Sequence, residues 1–295
     1  MPEVDEPVKS LGEFIDRVRF LRKWWGLAKH KELWFRGESR DYGDTILRPE
    51  LYRPARGESL KPIWKLLKIE NDLHDEFQHA AVERCNEKTS EEDWDWDSYC
   101  LMQHHNGPTR LLDWTDGALM ALHFALRNKA HDRRETSRVY VLESYRLMEK
   151  LEELPDIKIL KEEWKAYVGK HPSYGLKEYL WEDSYLPADE EDLTELNIAP
   201  PPLVLDIPLI TRRIAAQRSR FIVFGTAPTW LSDEFKKPDS TIRLIEIAAD
   251  SRPKLRQELR DCGVTESVIY PDLDGLGREM RQLWDDRRAA AEENS

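Results

Sequence analysis

The sequence predicts an α+β fold, a single domain in which a small mixed or antiparallel sheet is flanked by helices. Three runs rich in β-branched or aromatic residues are predicted strands: Val139–Glu143, Phe221–Gly225 and Ile242–Ile247. Residues 8–29 and about 60–88 carry apolar side chains at helical spacing. Because helices and strands do not alternate as regular βαβ units, the pattern favours α+β over a doubly wound sheet.

The remaining elements follow from local signals along the chain. We expect one domain over residues 1–288, with a charged helical insertion at about 146–198 and a disordered tail at 289–295. Turn residues and acidic runs predict loops, and apolar spacing predicts short elements between them. These are a strand at 32–37, loops at 39–58 and 91–97, a helical turn at 99–104, and helices at 118–128, 208–217, 251–262 and 276–288.

Composition limits the class of protein. The chain has 295 residues, 57 acidic and 45 basic, and a net charge of −12, which argues against a generally basic nucleic-acid coat but allows a local basic cleft. It has no apolar run of about 18 residues, and its first residues do not form a signal peptide. Cys85, Cys100 and Cys262 are too few and too widely spaced for a disulfide framework or a zinc site. We therefore expect a cytoplasmic protein with no membrane partner and no metal.

The densest polar segment runs from Gln103 to Thr115, around the break Asn106-Gly107-Pro108. It contains two histidines, an amide, a hydroxyl, a guanidinium and a carboxylate, and loops that hold such groups on a rigid frame are common binding sites. A structural interpretation stays open, in which Arg110 and Asp113 form an internal ion pair and His104 is a hydrogen-bonded core residue.

A second candidate is the run Trp34-Phe35-Arg36-Gly37-Glu38. It places an arginine at the end of a predicted strand, beside a glycine that would let a ligand approach the backbone. A guanidinium favours bidentate binding of a phosphate or carboxylate. The alternative is a structural ion pair of Arg36 with Glu38 or Asp113.

A third candidate is the segment Arg212–Arg220, which holds four arginines in nine positions. Against the acidic background it predicts an anion-binding rim, with Gln217 directed into a cleft. The structural alternative is that most of these arginines belong to a solvated helix face.

Several of these motifs resemble those of one bacterial family. Phe35-Arg36-Gly37 resembles the motif that names the FRG-domain family, and Leu101–Thr115 resembles its longest motif, Gln-His-His-Gly-x-Pro-Thr-Arg-Leu-Leu-Asp-Trp. The segments Leu47–Arg53, Arg213–Phe221 and Tyr270–Leu276 resemble further blocks, so the resemblance covers about residues 11–285. Two departures are Asn106 before the glycine and Arg218-Ser219-Arg220 in place of the usual Gln-x-Gly-x-Phe arrangement.

The resemblance implies a toxin or phage-defence effector, because the family is often encoded among mobile elements and defence genes. The order Arg, Thr or Ser, then Gln or Glu is similar to that of ADP-ribosyltransferases, which implies NAD as substrate and a protein or nucleic acid as acceptor. The oxocarbenium-like transition state needs an anion clamp, an aromatic wall and support for a cationic ribose. The implied catalytic residues are Arg36, Glu38, Thr109 and Gln217, and the implied nucleotide-binding residues are Trp34, Gly37, His104, His105, Arg110, Asp113 and Trp114.

Two other interpretations remain open. The chain could be a non-enzymatic or nuclease-like module that binds nucleic acid, or another phosphate-bearing ligand, through the His104/His105 loop and the arginines at 212–220. Alternatively, Arg36, Arg110, Asp113 and Asp274 could form one buried network that only stabilises the fold.

Overall fold

One six-stranded sheet organises the chain. The computed structural model describes residues 6–81, 94–127, 136–170, 180–188, 198–205 and 211–293. Its strands lie in the order β4-β5-β2-β1-β3-β6, and every neighbouring pair is antiparallel. This confirms the predicted α+β class and the antiparallel form of its sheet. The strands are β1 Trp34–Glu38, β2 Leu111–Thr115, β3 Ser137–Leu142, β4 Leu203–Leu205, β5 Ser219–Val223 and β6 Ile242–Ile247.

Helices cover the sheet and connect its strands. They are α1 Leu11–Trp24, α2 Ile63–Ala81, α3 Trp94–His104, α4 Ala118–Leu126, α5 Ser144–Glu152, α6 Pro155–Lys170, α7 Arg212–Gln217, α8 Trp230–Lys236, α9 Arg252–Asp261, α10 Glu266–Ile269 and α11 Leu273–Glu293. Short 3-10 turns lie at Gly43–Thr45, Glu50–Tyr52, Trp181–Tyr185 and Ala249–Ser251. None of the helices in the described ranges is long and apolar enough to cross a bilayer.

Three differences from the predicted elements have physical reasons. The strand β2 was not predicted, because its exposed Asp113 interrupts the apolar alternation; β4 has only three residues. The predicted acidic loop is wrong from Trp94 onward, since α3 begins there with Asp95 and Asp97 in its first turn, where the helix dipole favours acids. The last helix continues to Glu293, beyond the predicted end at 288.

Parts of several predictions lie outside the described residues. These are the start of the acidic run at 91–93, the ends of the helices predicted to reach 88 and 128, stretches 171–179 and 189–197 of the insertion, the start of the helix predicted at 208, Cys85, and the end of the tail at 294–295. The described part of the insertion is helical, as predicted, in α5, α6 and the turn at Trp181–Tyr185.

Alternation along the strands divides the apolar core between the two faces of the sheet. On one face, Phe35 packs with α1, α4 and α9, while at the other end of that face Leu111 packs with α3 and α6. On the opposite face, Trp34 and Trp114 pack with α5 and α8. The face of the sheet that carries Phe35 and Leu111 therefore has two separate apolar clusters, one around each of these residues.

At Gly37, β1 lies directly against the backbone of α4. A Cβ atom on Gly37 would lie 1.9 Å from the carbonyl oxygen of Ala121 and 2.7 Å from the amide nitrogen of Ala125. Any side chain at this position would push α4 away from β1. The missing side chain of Gly37 thus leaves room for the backbone of α4.

A buried ion pair joins α2 to the start of β2. Arg110 and Glu70 are both fully buried, and the guanidinium Nε of Arg110 donates to one carboxylate oxygen of Glu70. The Arg110 backbone amide donates to the other oxygen at 2.7 Å. The guanidinium also donates to the carbonyl oxygens of Phe224 at 3.2 Å and Tyr185 at 2.7 Å. Arg110 therefore connects four segments of the chain.

We predict that Arg110→Met lowers the free energy of unfolding by about 3–5 kcal/mol, because it leaves the carboxylate of Glu70 buried and unpaired. Urea unfolding followed by circular dichroism measures this. The matched control is Arg19→Met, since Arg19 is 76% exposed and its pair with Asp16 is a surface pair worth about 0–1 kcal/mol. Equal effects of the two substitutions would contradict a dominant structural role for Arg110.

Candidate functional site

The two central strands separate soon after they meet. β1 pairs with β3 over five positions and β2 pairs with β5 over five, but β1 and β2 share only the pair Phe35–Thr115. Beyond that pair, Nη1 of Arg36 donates to the backbone carbonyl oxygen of Asp113 at 2.7 Å. The Arg36 side chain thus bridges the two strands where ladder hydrogen bonds end.

A cleft of about 910 Å³ opens at this separation. Its volume lies at the upper end of the range for small-molecule sites, about 300–1,000 Å³. β1, β2 and the end of α3 contribute one group of lining residues, and α4, α7, α10 and α11 contribute the other. Of the eleven residues implied to be catalytic or nucleotide-binding, seven line it: Arg36, Gly37, Glu38, His104, Asp113, Trp114 and Gln217.

Arg36 and Glu38 form an ion pair within the cleft. Nε of Arg36 donates to Oε1 of Glu38 at 3.1 Å, and Nη2 of Arg53 lies 3.7 Å from the same oxygen. The Glu38 side chain is only 1% exposed. Its second oxygen, Oε2, is buried and has no hydrogen-bond partner within the described part of the chain. A buried polar atom without a partner is uncommon, and here it is an acceptor in a residue that lines the cleft.

Asp113 is held by a short chain of hydrogen bonds that was not predicted from the sequence. The Thr109 hydroxyl donates to Oε1 of Gln103, and Nε2 of Gln103 donates to Oδ2 of Asp113 at 2.7 Å. Desolvation by the surrounding protein raises the pKa of the Asp113 carboxyl, although Arg36 and the Gln103 amide oppose the shift. Asp113 nevertheless keeps solvent access. Gln103 lines the cleft and was missed as a site residue, although it opens the polar segment that drew attention to its neighbours.

His104 is a neutral side chain in the cleft wall. Burial, then Arg213 and His105, lower the pKa of His104 to about 3. Its Nε2 is buried without a hydrogen-bond partner among the described residues. The departure at Asn106 ends α3 next to His104: Asn106 has a φ of 66°, and the Gly107 amide donates to the Met102 carbonyl oxygen at 2.8 Å.

Gln217 lies at the end of α7 and lines the cleft near α10. Its Nε2 makes only a long hydrogen bond, 3.4 Å, to the Ile269 carbonyl oxygen. Its backbone carbonyl oxygen accepts from the Thr115 hydroxyl at 2.8 Å, which ties α7 to β2. The chain then turns at Arg218, whose φ is 52°. Gln217 therefore lies in the cleft even though Arg218-Ser219-Arg220 follows it in place of the usual motif.

The arginines of the third block do not act as one rim. Arg213 lines the cleft, but Arg218 and Arg220 both form ion pairs with Asp116, the latter at 2.6 Å. Arg218 and Arg220 are therefore ion-pair partners of Asp116 and not part of a solvated helix face, and Arg213 is the one of these arginines that lines the cleft.

Four residues that the sequence singled out do not line the cleft. Trp34 packs in the core, Thr109 is fully buried and reaches the site only through Gln103, and Arg110 is paired with Glu70. His105 is exposed beside His104. The structural alternative of an ion pair between Arg110 and Asp113 is not found, since the guanidinium of Arg110 binds Glu70. No group of three or more potential metal ligands is found in the ranges that the structure describes.

The low pKa of His104 predicts a pH-dependent stability. The unfolded chain takes up a proton at His104 near pH 6.5, whereas the folded chain does so only near pH 3. The unfolded state therefore binds more protons in this window, and the free energy of unfolding falls as the pH drops below about 6.5. We expect His104→Gln to lose less stability than the wild type between about pH 7 and pH 5.

Denaturant unfolding at each pH measures this difference, and a proton NMR titration of the imidazole gives the pKa directly. The exposed His30 provides the control, because His30→Gln retains His104 and so the wild-type pH dependence. An imidazole of His104 that titrates near pH 6.5 in the folded protein would contradict the assignment.

Comparison with known proteins bears on the motifs that frame this cleft. Searches of curated proteins and of solved structures give no match. The family model of the FRG domain matches residues 31–134, which contain β1, α2, α3, β2 and α4. The match includes Arg36, Glu38 and Asp113 and leaves out Arg213 and Gln217. The chain therefore contains an FRG domain, which the family model matches over residues 31–134.

Proposed function

We propose that the protein cleaves the glycosidic bond of NAD and transfers ADP-ribose to water or to a macromolecular acceptor, as a bacterial toxin or phage-defence effector. The observation that carries the proposal is the convergence of Arg36, Glu38 and Asp113 in one cleft, at the separation of β1 from β2. A cleft with two carboxylates beside an arginine suits a substrate that is anionic at its phosphates and becomes cationic at its ribose.

The chemistry places specific demands on these carboxylates. When the bond between C1′ of the ribose and the nicotinamide nitrogen breaks, its electron pair goes to the pyridinium nitrogen, and nicotinamide leaves as a neutral base. Positive charge then develops on the ribose, where a carboxylate lowers the free energy of the transition state. Because the leaving group needs no proton, a neutral His104 is compatible with this step.

The second step needs a base. A water or acceptor hydroxyl attacks C1′ and loses a proton, so that the products with water are nicotinamide, ADP-ribose and a proton. Asp113 suits this role, because its raised pKa brings it closer to neutral pH and makes it a better base. Thr109 acts through Gln103 in this proposal, as a positioning residue for Asp113.

The remaining groups bind and orient the nucleotide in this proposal. Arg36 holds Glu38 and keeps its guanidinium in the cleft, where it can contact a ribose or phosphate oxygen. The weakly bonded amide of Gln217 is available for an acceptor or ribose hydroxyl. Trp114 borders the cleft, but it is only 2% exposed and packs in the core, so it offers no open aromatic wall.

We predict that Arg36→Lys and Glu38→Gln each lower kcat/KM for nicotinamide release by about 100- to 1,000-fold, because each removes a group that stabilises the transition state. Chromatography of purified protein with NAD measures nicotinamide release. Labelled NAD detects transfer to added protein, RNA or DNA.

The matched control is Arg243→Lys. Arg243 lies on β6, donates to the backbone carbonyl oxygens of Ser240 and Ile242 at 2.9 and 2.8 Å, and does not line the cleft. It should retain wild-type turnover, and all three variants should melt close to the wild type. Absence of nicotinamide release and of label transfer in the wild type, or full activity of Arg36→Lys, would contradict the proposal.

A second candidate function is the binding of single-stranded nucleic acid. It is favoured by the guanidinium groups of Arg127, Arg213 and Arg278 around the ring of Tyr270, because arginines beside an aromatic ring are typical of such surfaces.

This alternative predicts that a fluorescent oligonucleotide binds with an affinity that falls steeply with salt. Fluorescence anisotropy would show the affinity lost on charge reversal in Arg213→Glu with Arg218→Glu, while Arg218→Glu alone should have little effect because that side chain is paired with Asp116. An affinity that both variants retain would exclude the alternative.

A further inference from the structure

Three guanidinium groups surround one tyrosine ring in the cleft. The guanidinium carbons of Arg278, Arg213 and Arg127 lie 4.3, 4.6 and 5.1 Å from the ring centroid of Tyr270. Nη1 of Arg127 also donates to the Tyr270 hydroxyl at 2.9 Å. All three arginines line the cleft. We call Tyr270 with these three arginines the Tyr270 cluster.

The segment Tyr270–Leu276, which resembled a family block without an evident role, builds this cluster. Oδ1 of Asp272 accepts from the Gly275 amide at 2.7 Å and begins α11. A Cβ atom on Gly275 would lie 1.9 Å from the Tyr270 carbonyl oxygen, so only glycine lets α11 start against Tyr270. One turn later α11 places Arg278 at the ring, and Arg281 follows three residues on, also lining the cleft.

The charge of the Tyr270 cluster is only partly balanced. Glu266 accepts from Nε of Arg278 at 3.1 Å, while its other oxygen lies 3.1 Å from Nε2 of His123. Nε of Arg213 is buried and has no hydrogen-bond partner among the residues that the structure describes. Closely spaced positive charges with an unsatisfied buried donor are the features of an anion site.

We propose that the Tyr270 cluster is the binding site for the diphosphate group of a small nucleotide. The identity of that nucleotide as NAD rests on the proposed function, whereas the site itself rests on the arginines. A diphosphate carries more acceptor oxygens than a carboxylate and so can use the donors of several guanidinium groups at once. With the diphosphate here, the attached ribose lies in the same cleft as the carboxylates of Glu38 and Asp113.

The geometry favours a small nucleotide over a nucleic-acid strand. The arginines face one ring inside a cleft of about 910 Å³, instead of following a track across the surface. A polymer of phosphates also needs an extended basic footprint, and this chain carries a net charge of −12.

Isothermal titration with ADP, pyrophosphate and adenosine tests the site without any turnover. We expect ADP and pyrophosphate to bind the wild type, adenosine to bind at least about 10-fold more weakly than ADP, and added salt to weaken the binding of ADP. Arg213→Gln should lower the affinity for ADP about 10-fold or more, and the double variant with Arg281→Gln should lower it further.

The control is Arg260→Gln, since Arg260 lies on α9 and pairs with Asp286 at 3.0 Å outside the cleft lining. It should bind ADP as the wild type does, and thermal melts should show all variants folded. No ADP binding by the wild type at millimolar concentration, or equal affinity for ADP in the wild type and the double variant, would overturn the site. A single-stranded oligonucleotide that binds more tightly than ADP and is lost in the same variants would assign the cluster to a polymer.

The two proposals fail in different ways. Binding of ADP that depends on Arg213, without any cleavage of NAD, would keep the Tyr270 cluster and remove the proposed chemistry. Cleavage of NAD with an unchanged KM in the double variant would keep the chemistry and remove the cluster.

Discussion

The buried ion pair between Arg110 and Glu70 is the interaction on which the arrangement of the site depends. Arg110 begins β2 and holds that strand to α2, to the end of β5 and to the turn that contains Tyr185. Its neighbour Thr109 is thereby fixed and can orient Gln103 towards Asp113. The polar segment Gln103–Thr115 thus has two roles. Arg110 stabilises the fold, and Gln103 and Asp113 reach the cleft.

Local patterning predicted the fold class and several regular elements, because α1 carries a helical apolar period, α4 is almost entirely apolar, and β3 and β6 are rich in β-branched residues. Local patterning did not predict β2, because the apolar alternation of this strand is interrupted by Asp113, which lines the cleft. Nor could it find the partner of Arg110, because Glu70 lies forty positions earlier on a helix whose own pattern gives no sign of a buried acid.

Much of the site was predictable as a set of residue types, but not as a geometry. Arg36, Asp113 and Gln217 do share a cleft, although they belong to three separated segments. The Tyr270 cluster was not predicted as a whole, because its arginines come from the end of α4, from α7 and from α11, and only Arg213 belongs to a local run of positive charge. The chain as a whole has a net charge of −12, so the concentration of positive charge in the cleft arises only when the tertiary structure brings these arginines together.

The separation of β1 from β2 also affects whether the segment at residues 31–134 could fold as an isolated fragment. The segment at residues 31–134 contains both strands, yet they share a single pair, and their long ladders run to β3 and β5, which lie outside it. A fragment cut at residues 31 and 134 would expose the hydrogen-bonding edges of both strands at once, which favours aggregation. A fragment that keeps the long ladders of both central strands must therefore also include β3 and β5.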